Sequence, residues 1–439
     1  MRNNRIFLLA IALACLLCGC SMGTVRELYC LPKRSESYQD LQAVIDRNMD
    51  GLAYCAPLSG ENRQPVQLAD LDGDGSDECL LFARGSGELP LKILIFGQEN
   101  DQYALRQTIE GNGTAYDLVE YVQMDDRDGM ELVVGRQLND QVLRSASVYA
   151  SAEGQLQQLI VTPYTKCLTS DLDSNGEKEL MILRPGQTET DKGIAELFAL
   201  RGGSIEKSHE VPLSAPVDNL KRIITGKLHG GQEAVFVGSS VDENAIITDI
   251  YAMVGGNFTN ISLSAESGTS VQTIRNYYVY ADDFDADGEV ELPDLINMLP
   301  LNALHDAEQQ HLIRWYTMGP DGSEWTKRYS FHDYVGGWYL ELPEAWACQV
   351  TVVPEEHAYS FYLWDDTYTE AKKIFTVYVF SGQDREIQAV ENNRFLLYKG
   401  ETVVYAARME VASGVLEITQ SDLINSFHLI RQAWNTGEM

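Results

Sequence analysis

Three nine-residue segments of this chain share one pattern: Asp at positions 1 and 3, Asp or Asn at 5, Gly at 6 and Glu at 9. They are Asp70-Leu-Asp-Gly-Asp-Gly-Ser-Asp-Glu78, Asp171-Leu-Asp-Ser-Asn-Gly-Glu-Lys-Glu179 and Asp283-Phe-Asp-Ala-Asp-Gly-Glu-Val-Glu291. Two worn copies lie between them, at residues 123–131 and 225–233, and apolar runs follow at 79–82, 132–134, 180–183 and 234–236. The five copies begin at residues 70, 123, 171, 225 and 283, which are 53, 48, 54 and 58 residues apart. A pattern recurring at such a spacing marks one supersecondary unit used repeatedly.

Each period reads as strands. After the first loop come apolar stretches at 80–82, 91–96, 103–105 and 116–122, with Gly, Asn and Asp in the gaps. Four strands per period, five periods in series, predict a mainly β chain with a β-propeller of about five blades over residues 65–331. The Asp loops and their period resemble the FG-GAP/VCBS repeats of integrin-like propellers; the likeness lies in the loops, not in the FG-GAP dipeptides themselves.

The loop chemistry follows from the residue types alone. Calcium takes six to eight oxygen ligands, and a tight loop supplies them when carboxylates recur at alternate positions and a glycine lets the chain fold back. Side-chain ligands at positions 1, 3 and 5 would be Asp70, Asp72 and Asp74; Asp171, Asp173 and Asn175; and Asp283, Asp285 and Asp287. Position 7 would offer a backbone carbonyl from Ser76, Glu177 or Glu289, and position 9 a last carboxylate from Glu78, Glu179 or Glu291. The bland alternative is a set of solvated Asx-turns without metal. Repulsion among three or four carboxylates in one loop argues for a cation instead. Gln123 and Arg127 in one worn copy, and Thr225, Lys227 and His229 in the other, replace ligands, so no ion is expected there; Arg127 and Lys227 would stand where it belongs. An EF-hand shares positions 1 to 9 but needs an acid at 12, where the first two loops have Leu81 and Ile182. The third has Asp294 there, so an EF-hand half is its alternative to a blade.

At the N-terminus, Arg2 and Arg5 precede an uncharged apolar run over residues 6–17, the form of a signal peptide. Its end, Leu17-Cys-Gly-Cys20, resembles the lipobox of bacterial lipoproteins, which implies cleavage after residue 19 and a lipid on Cys20. Residues 1–19 are then signal peptide, and 20–64 a tether with an amphipathic helix at 38–49 presenting Leu41, Val44, Ile45 and Met49. The formal charge of −32 at pH 7 would repel nucleic acid and anionic headgroups, so neither is expected as a partner. Cys30, Cys55, Cys79, Cys167 and Cys348 show no CxxC or zinc-type spacing; a Cys30–Cys55 bridge and free thiols both remain open.

Composition shifts near residue 330, since all six tryptophans lie at or beyond Trp315. A small α+β domain is expected over 332–439, with strands at 349–353, 359–364, 373–380 and 395–406. A closing helix over 422–434 would have Ser421 as its cap and Leu423, Phe427, Ile430 and Trp434 on one face. No HExxH, GxSxG or GxxxxGK[ST] motif occurs, and no catalytic residue is assigned. The expectation is an extracytoplasmic, membrane-anchored scaffold with structural calcium, binding or adhering to an unspecified protein or polysaccharide. The alternative is a hydrolase acting on a surface polysaccharide or peptide.

Overall fold

The computed structural model describes residues 36–99, 102–138, 143–186, 192–242, 245–277, 279–298, 310–347, 349–363, 371–410, 418–431 and 434. The signal peptide, Cys20, Cys30 and Cys348 lie outside them. The described part is mainly β, in antiparallel sheets that follow one another along the chain. No helix among the described residues is long and apolar enough to cross a membrane.

The chain divides into two compact units. The first comprises residues 1–56, 64–69 and 76–111; the second comprises 57–63, 70–75 and 112–439. In the first unit, helix α1 (Glu36–Asn48) places Leu41, Val44 and Ile45 on one face by the spacing i, i+3, i+4, and all three are buried. They pack on Cys79, Leu81, Ala83, Leu94 and Phe96 of a sheet made of β1 (Ala53–Tyr54), β2 (Val66–Ala69), β3 (Glu78–Arg84), β4 (Leu91–Glu99) and β5 (Gln102–Gly111). The helix expected at 38–49 is therefore present.

The second unit holds three four-stranded meanders in series. They are β6 (Ala115–Val122) to β9 (Gln155–Tyr164) through β7 (Glu131–Gln137) and β8 (Arg144–Ala152); β10 (Lys166–Ser170), β11 (Glu179–Arg184), β12 (Ile194–Arg201) and β13 (Ser204–Pro212); and β14 (Leu220–Lys227), β15 (Glu233–Ser240), β16 (Ile246–Val254) and β17 (Asn257–Asn260). The next sheet contains β18 (Leu292–Asn297), β19 (His311–Met318), β20 (Glu324–Asp333) and β21 (Trp338–Leu342). The nine-residue segments fall between the first and second strands of their sheets, counted in the first sheet from β2, since β1 is an extra strand paired to β3. In the last copy the first strand is reduced to a bridge, Asp282 to Glu291.

A shared irregularity argues that these sheets are copies of one unit. The pairing of third with fourth strand is bulged at Ile95/Phe96, Val148/Tyr149, Leu197/Phe198 and Trp315/Tyr316. A bulge adds local twist and ends strict alternation. The strand after each of the first four copies is apolar without alternation because it is covered on both faces: Leu132–Val134 and Leu180–Leu183 are fully buried, whereas β18 after the last copy is half-buried beyond Pro293. The fourth strand is the most exposed; β13 has no fully buried residue. Neighbouring sheets of this unit share their cores. Val133 and Val148 pack with Leu180 and Ile182, Leu183 and Leu197 with Val235 and Val237, and Phe236 and Ile250 with Leu292 and Tyr316.

The boundary expected at 331/332 falls inside β20, and β21 continues the same sheet. Beyond it, β22 (Val350–Glu355), β23 (Ala358–Leu363), β24 (Lys372–Ser381), β25 (Phe395–Lys399) and β26 (Val403–Met409) form a further sheet, with the short helix α2 (Arg385–Gln388) after β24. This sheet packs Phe361, Phe375 and Val377 against Phe331, Trp338 and Leu340. The closing helix is shorter than expected. Helix α3 covers only Gln420–Ser426, capped by Thr419, whose side chain accepts from Asp422 N while the Asp422 carboxylate accepts from Thr419 N. The chain then turns extended as β27 (Phe427–Leu429) and adds to the edge of β21. Phe427 and Trp434 are buried, as expected, but on different clusters.

Candidate metal centres

The intact loops adopt one backbone. Position 4 is left-handed in each, with φ of 75° at Gly73, 59° at Ser174 and 61° at Ala286, and so is the glycine at position 6, with φ of 84°, 92° and 88°. Side chains carry the rest of the turn. Asp171 accepts from the amides of Asn175 (3.0 Å) and Gly176 (2.9 Å), and Asp283 likewise from Asp287 (3.1 Å) and Gly288 (2.9 Å). Asp70 accepts from Gly73 (2.8 Å) and Gly75 (2.9 Å). A non-glycine residue at φ near 60° carries about 1 kcal/mol of strain. Ala286→Gly should therefore raise stability by about 1 kcal/mol, read from the denaturant midpoint.

Positions 1, 3 and 9 converge in the second and third loops. One carboxylate oxygen each from Asp171, Asp173 and Glu179, and from Asp283, Asp285 and Glu291, lie within 4.8 Å of one another, an arrangement able to hold a metal ion. Asp287 at position 5 stands outside its triplet. Asp287 and Asn175 instead cap backbone, accepting from Glu289 N (2.8 Å) and Glu177 N (2.6 Å). At position 7, the Glu289 side chain turns away to His229 Nδ1 (3.2 Å), Gly230 N (3.0 Å) and Lys327 Nζ (3.0 Å).

In the second and third loops the ninth residue ties the loop to its own start, while Glu78 of the first pairs with Arg106 (3.0 Å). Glu179 Oε2 accepts from Leu172 N (3.0 Å) and Glu291 Oε2 from Phe284 N (2.7 Å). In the third loop two carboxylate oxygens are left over: Asp285 Oδ1 and Glu291 Oε1 are buried without a hydrogen-bond partner, and Glu291 is wholly inaccessible. Burial, with Asp285, Asp287 and Asp283 adding to it, pushes the Glu291 carboxyl up to about 7. Burial with Asp173 and Asp171 does the same to Glu179. An orphaned buried oxygen is costly. A hard cation among these oxygens would satisfy both and restore ionisation, so the donor set fits such an ion.

Sequence reasoning missed two residues here. Arg328 pairs with Asp285 Oδ2 (2.9 Å), and Lys327 with Asp287 Oδ2 (2.9 Å). Both come from β20, some forty residues along the chain, and they neutralise the outer oxygens while leaving the inner ones bare. The Asp171 loop has no ion pair among the described residues.

The worn copies differ from each other. In residues 123–131, Arg127 pairs with Asp125 (2.7 Å) and reaches Glu131 (3.7 Å), and Glu131 still accepts from Met124 N (2.8 Å). A guanidinium thus stands among the remaining acids. Lys227 does not play that part. It ends β14, and a tight turn through Gly230 and Gly231, with φ of 92° and 90°, leads straight into β15. That turn docks on the third loop instead: Lys227 N donates to Gly288 O (2.9 Å) and Val290 N to Lys227 O (2.9 Å). Successive copies touch elsewhere in the second unit too. Lys178 N donates to Gln123 O (2.7 Å), and a methyl group on Gly73 would lie 2.5 Å from the Asp128 carbonyl carbon. Only glycine permits that approach.

Cys55, Cys79 and Cys167 carry free thiols, and burial pushes the Cys79 thiol up to about 12, which makes it unreactive.

No protein-family model matches the sequence, and no curated protein does. Among solved structures, the chain is similar over 72% of its length to a protein from Lactobacillus plantarum, at 11% identity, 85% coverage of that protein and a TM-score of 0.26. It is similar over 73% of its length to an exotype rhamnogalacturonan lyase, at 12% identity and a TM-score of 0.32, spanning 55% of that enzyme. At such scores neither likeness extends to fold or chemistry.

Proposed function

We propose that the five repeats are blades of a calcium-clamped β-propeller of the FG-GAP/VCBS kind. The protein is held at the extracytoplasmic face of the cell membrane by a lipid on Cys20 and serves as a binding or adhesion scaffold for a protein or polysaccharide. The observation that carries the metal part is the pair of buried, unpartnered oxygens, Asp285 Oδ1 and Glu291 Oε1, at the centre of a loop already rich in carboxylates. Three further features support the repeat reading: the common loop backbone, the shared bulge in four sheets, and the contacts between consecutive loops. Calcium suits the loops better than zinc or magnesium because every donor is oxygen and each turn is flexible enough for an irregular shell. Its role is structural, since each ion would cross-link the two strands that flank its loop.

Calorimetric titration of the full chain in detergent, stripped of metal with a chelator, should show close to three calcium sites. A flat titration with an unchanged melting temperature would sink the reading. Anchoring has its own test: Cys20→Ala should move the protein from the membrane to the soluble fraction and abolish incorporation of a labelled fatty acid. Retention in the membrane with the label still present would exclude Cys20 as the anchor.

A further inference from the structure

The third loop differs from the second in what the residue at position 2 touches. Leu172 of the Asp171 loop is buried in the core shared by its own sheet and the next. Phe284, between Asp283 and Asp285, instead enters an aromatic cluster with Trp315, Tyr339 and Trp434. Its ring stacks on Trp434 with centroids 5.1 Å apart and planes at 15°, and tilts against Trp315 at 4.7 Å. Trp434 is wholly buried.

Asp282 makes the connection mechanical. Its backbone is paired with the ninth residue of the loop in both directions, Asp282 N to Glu291 O (3.2 Å) and Glu291 N to Asp282 O (2.9 Å). Its carboxylate accepts from the Trp434 indole N–H and pairs with Arg222 (3.0 Å) and Arg431 (4.0 Å). Arg431 also lies over the Trp434 ring at 5.4 Å. Tyr280 N donates to Trp434 O (3.1 Å), and upstream Ile430 N donates to Gly337 O (3.0 Å) while β27 adds to β21. The C-terminal segment is thus fastened at one end to a sheet edge and at the other to the two residues, Asp282 and Phe284, that bracket the loop's first acid.

We infer that residues 427–431 together with Trp434 form a clasp whose closure is coupled to cation binding at Asp283, Asp285 and Glu291: an ion in the third loop locks these residues down, and an empty loop releases them. The inference rests on the metal reading above. Ordering the loop fixes the Phe284 ring and the Asp282 carboxylate together, and these are the contacts that hold Trp434. Coupling of this kind is reciprocal, so the clasp must in turn tighten that one site.

Hydrogen exchange on the full chain in detergent tests the clasp directly, with calcium alone as the probe. Saturating calcium should slow exchange in the peptide covering 427–434 by at least tenfold. The response should vanish in Glu291→Gln and persist in Asp173→Asn, which alters only the second loop. Trp434→Phe, which keeps a ring but loses the N–H to Asp282, should weaken one calcium site about tenfold and leave the others unchanged. If calcium binds but exchange at 427–434 does not respond, the clasp is wrong and the metal reading stands. If no calcium binds at all, the metal reading fails and the clasp with it. Should Trp434→Phe not fold, wild-type exchange with the two loop variants decides.

Discussion

Chelation should lower the unfolding midpoint of the full chain by on the order of 10 °C, and the loss should be restored by calcium. Each site occupied at a hundredfold excess over its Kd contributes about 2.7 kcal/mol. The Asp171 and Asp283 loops both lie in the second unit, so together they contribute about 5 kcal/mol there, and for a unit of this size that corresponds to a shift of about that many degrees. The sharper form of the prediction concerns Glu291→Gln. Without a cation, Glu291 is a buried carboxyl facing Asp283, Asp285 and Asp287, and neutralising it removes that repulsion. The chelated variant should therefore melt at or above the chelated wild type. With calcium present the order reverses, because the variant has lost a charged ligand. Solvated turns without metal would give curves that no chelator moves. Differential scanning calorimetry with and without calcium separates the two cases.

Acid should destabilise the second unit through His332. The ring is buried against Tyr339, Trp315 and Trp434, with Ser330 Oγ 2.8 Å from Nε2 and the Tyr334 hydroxyl 3.2 Å from Nδ1. Burial lowers its pKa from 6.5 to about 3. Folded His332 is thus neutral where the unfolded chain binds a proton, so its contribution is fully present above pH 6.5 and is lost as pH falls from 6.5 towards 3. Such a displacement is worth on the order of 5 kcal/mol at the acid end. Between pH 6.5 and 5 the raised Glu179 and Glu291 carboxyls titrate alike in both proteins, so the wild-type midpoint should decline with falling pH relative to that of His332→Gln. Equal slopes for the two proteins would show that the ring does not carry the effect.

How legible these features were depended on sequence separation. The turn of each loop is made within nine residues, by an aspartate accepting amides three to five positions on and by a glycine at positive φ, so residue type and spacing were enough to find it. The apolar run after each of the first four copies announced a strand, and the sheets cover it on both faces. The worn copies were half legible. Arg127 stands among the acids because its partners Asp125 and Glu131 are local, whereas Lys227 behaves otherwise because Gly230 and Gly231 allow a shorter connection than the repeat spacing implied. The closing helix is shorter than its apolar spacing implies because Phe427 and Trp434 fit a helical period as well as they fit a short helix followed by an edge strand.

What the sequence determined by itself was therefore local: the Asp loops, the five-fold period, the strands between them and the amphipathic helix at the start of the described chain. The tertiary structure alone decided which partners those loops meet. Lys327 and Arg328 reach the third loop from β20, and Trp434 reaches Asp282 from 152 positions along the chain. Such contacts depend on how the sheets stack and where the C-terminal segment finds an open edge. A residue's type and its near neighbours carry no record of a partner that distant, because the free energy of the contact exists only once the intervening chain has been ordered.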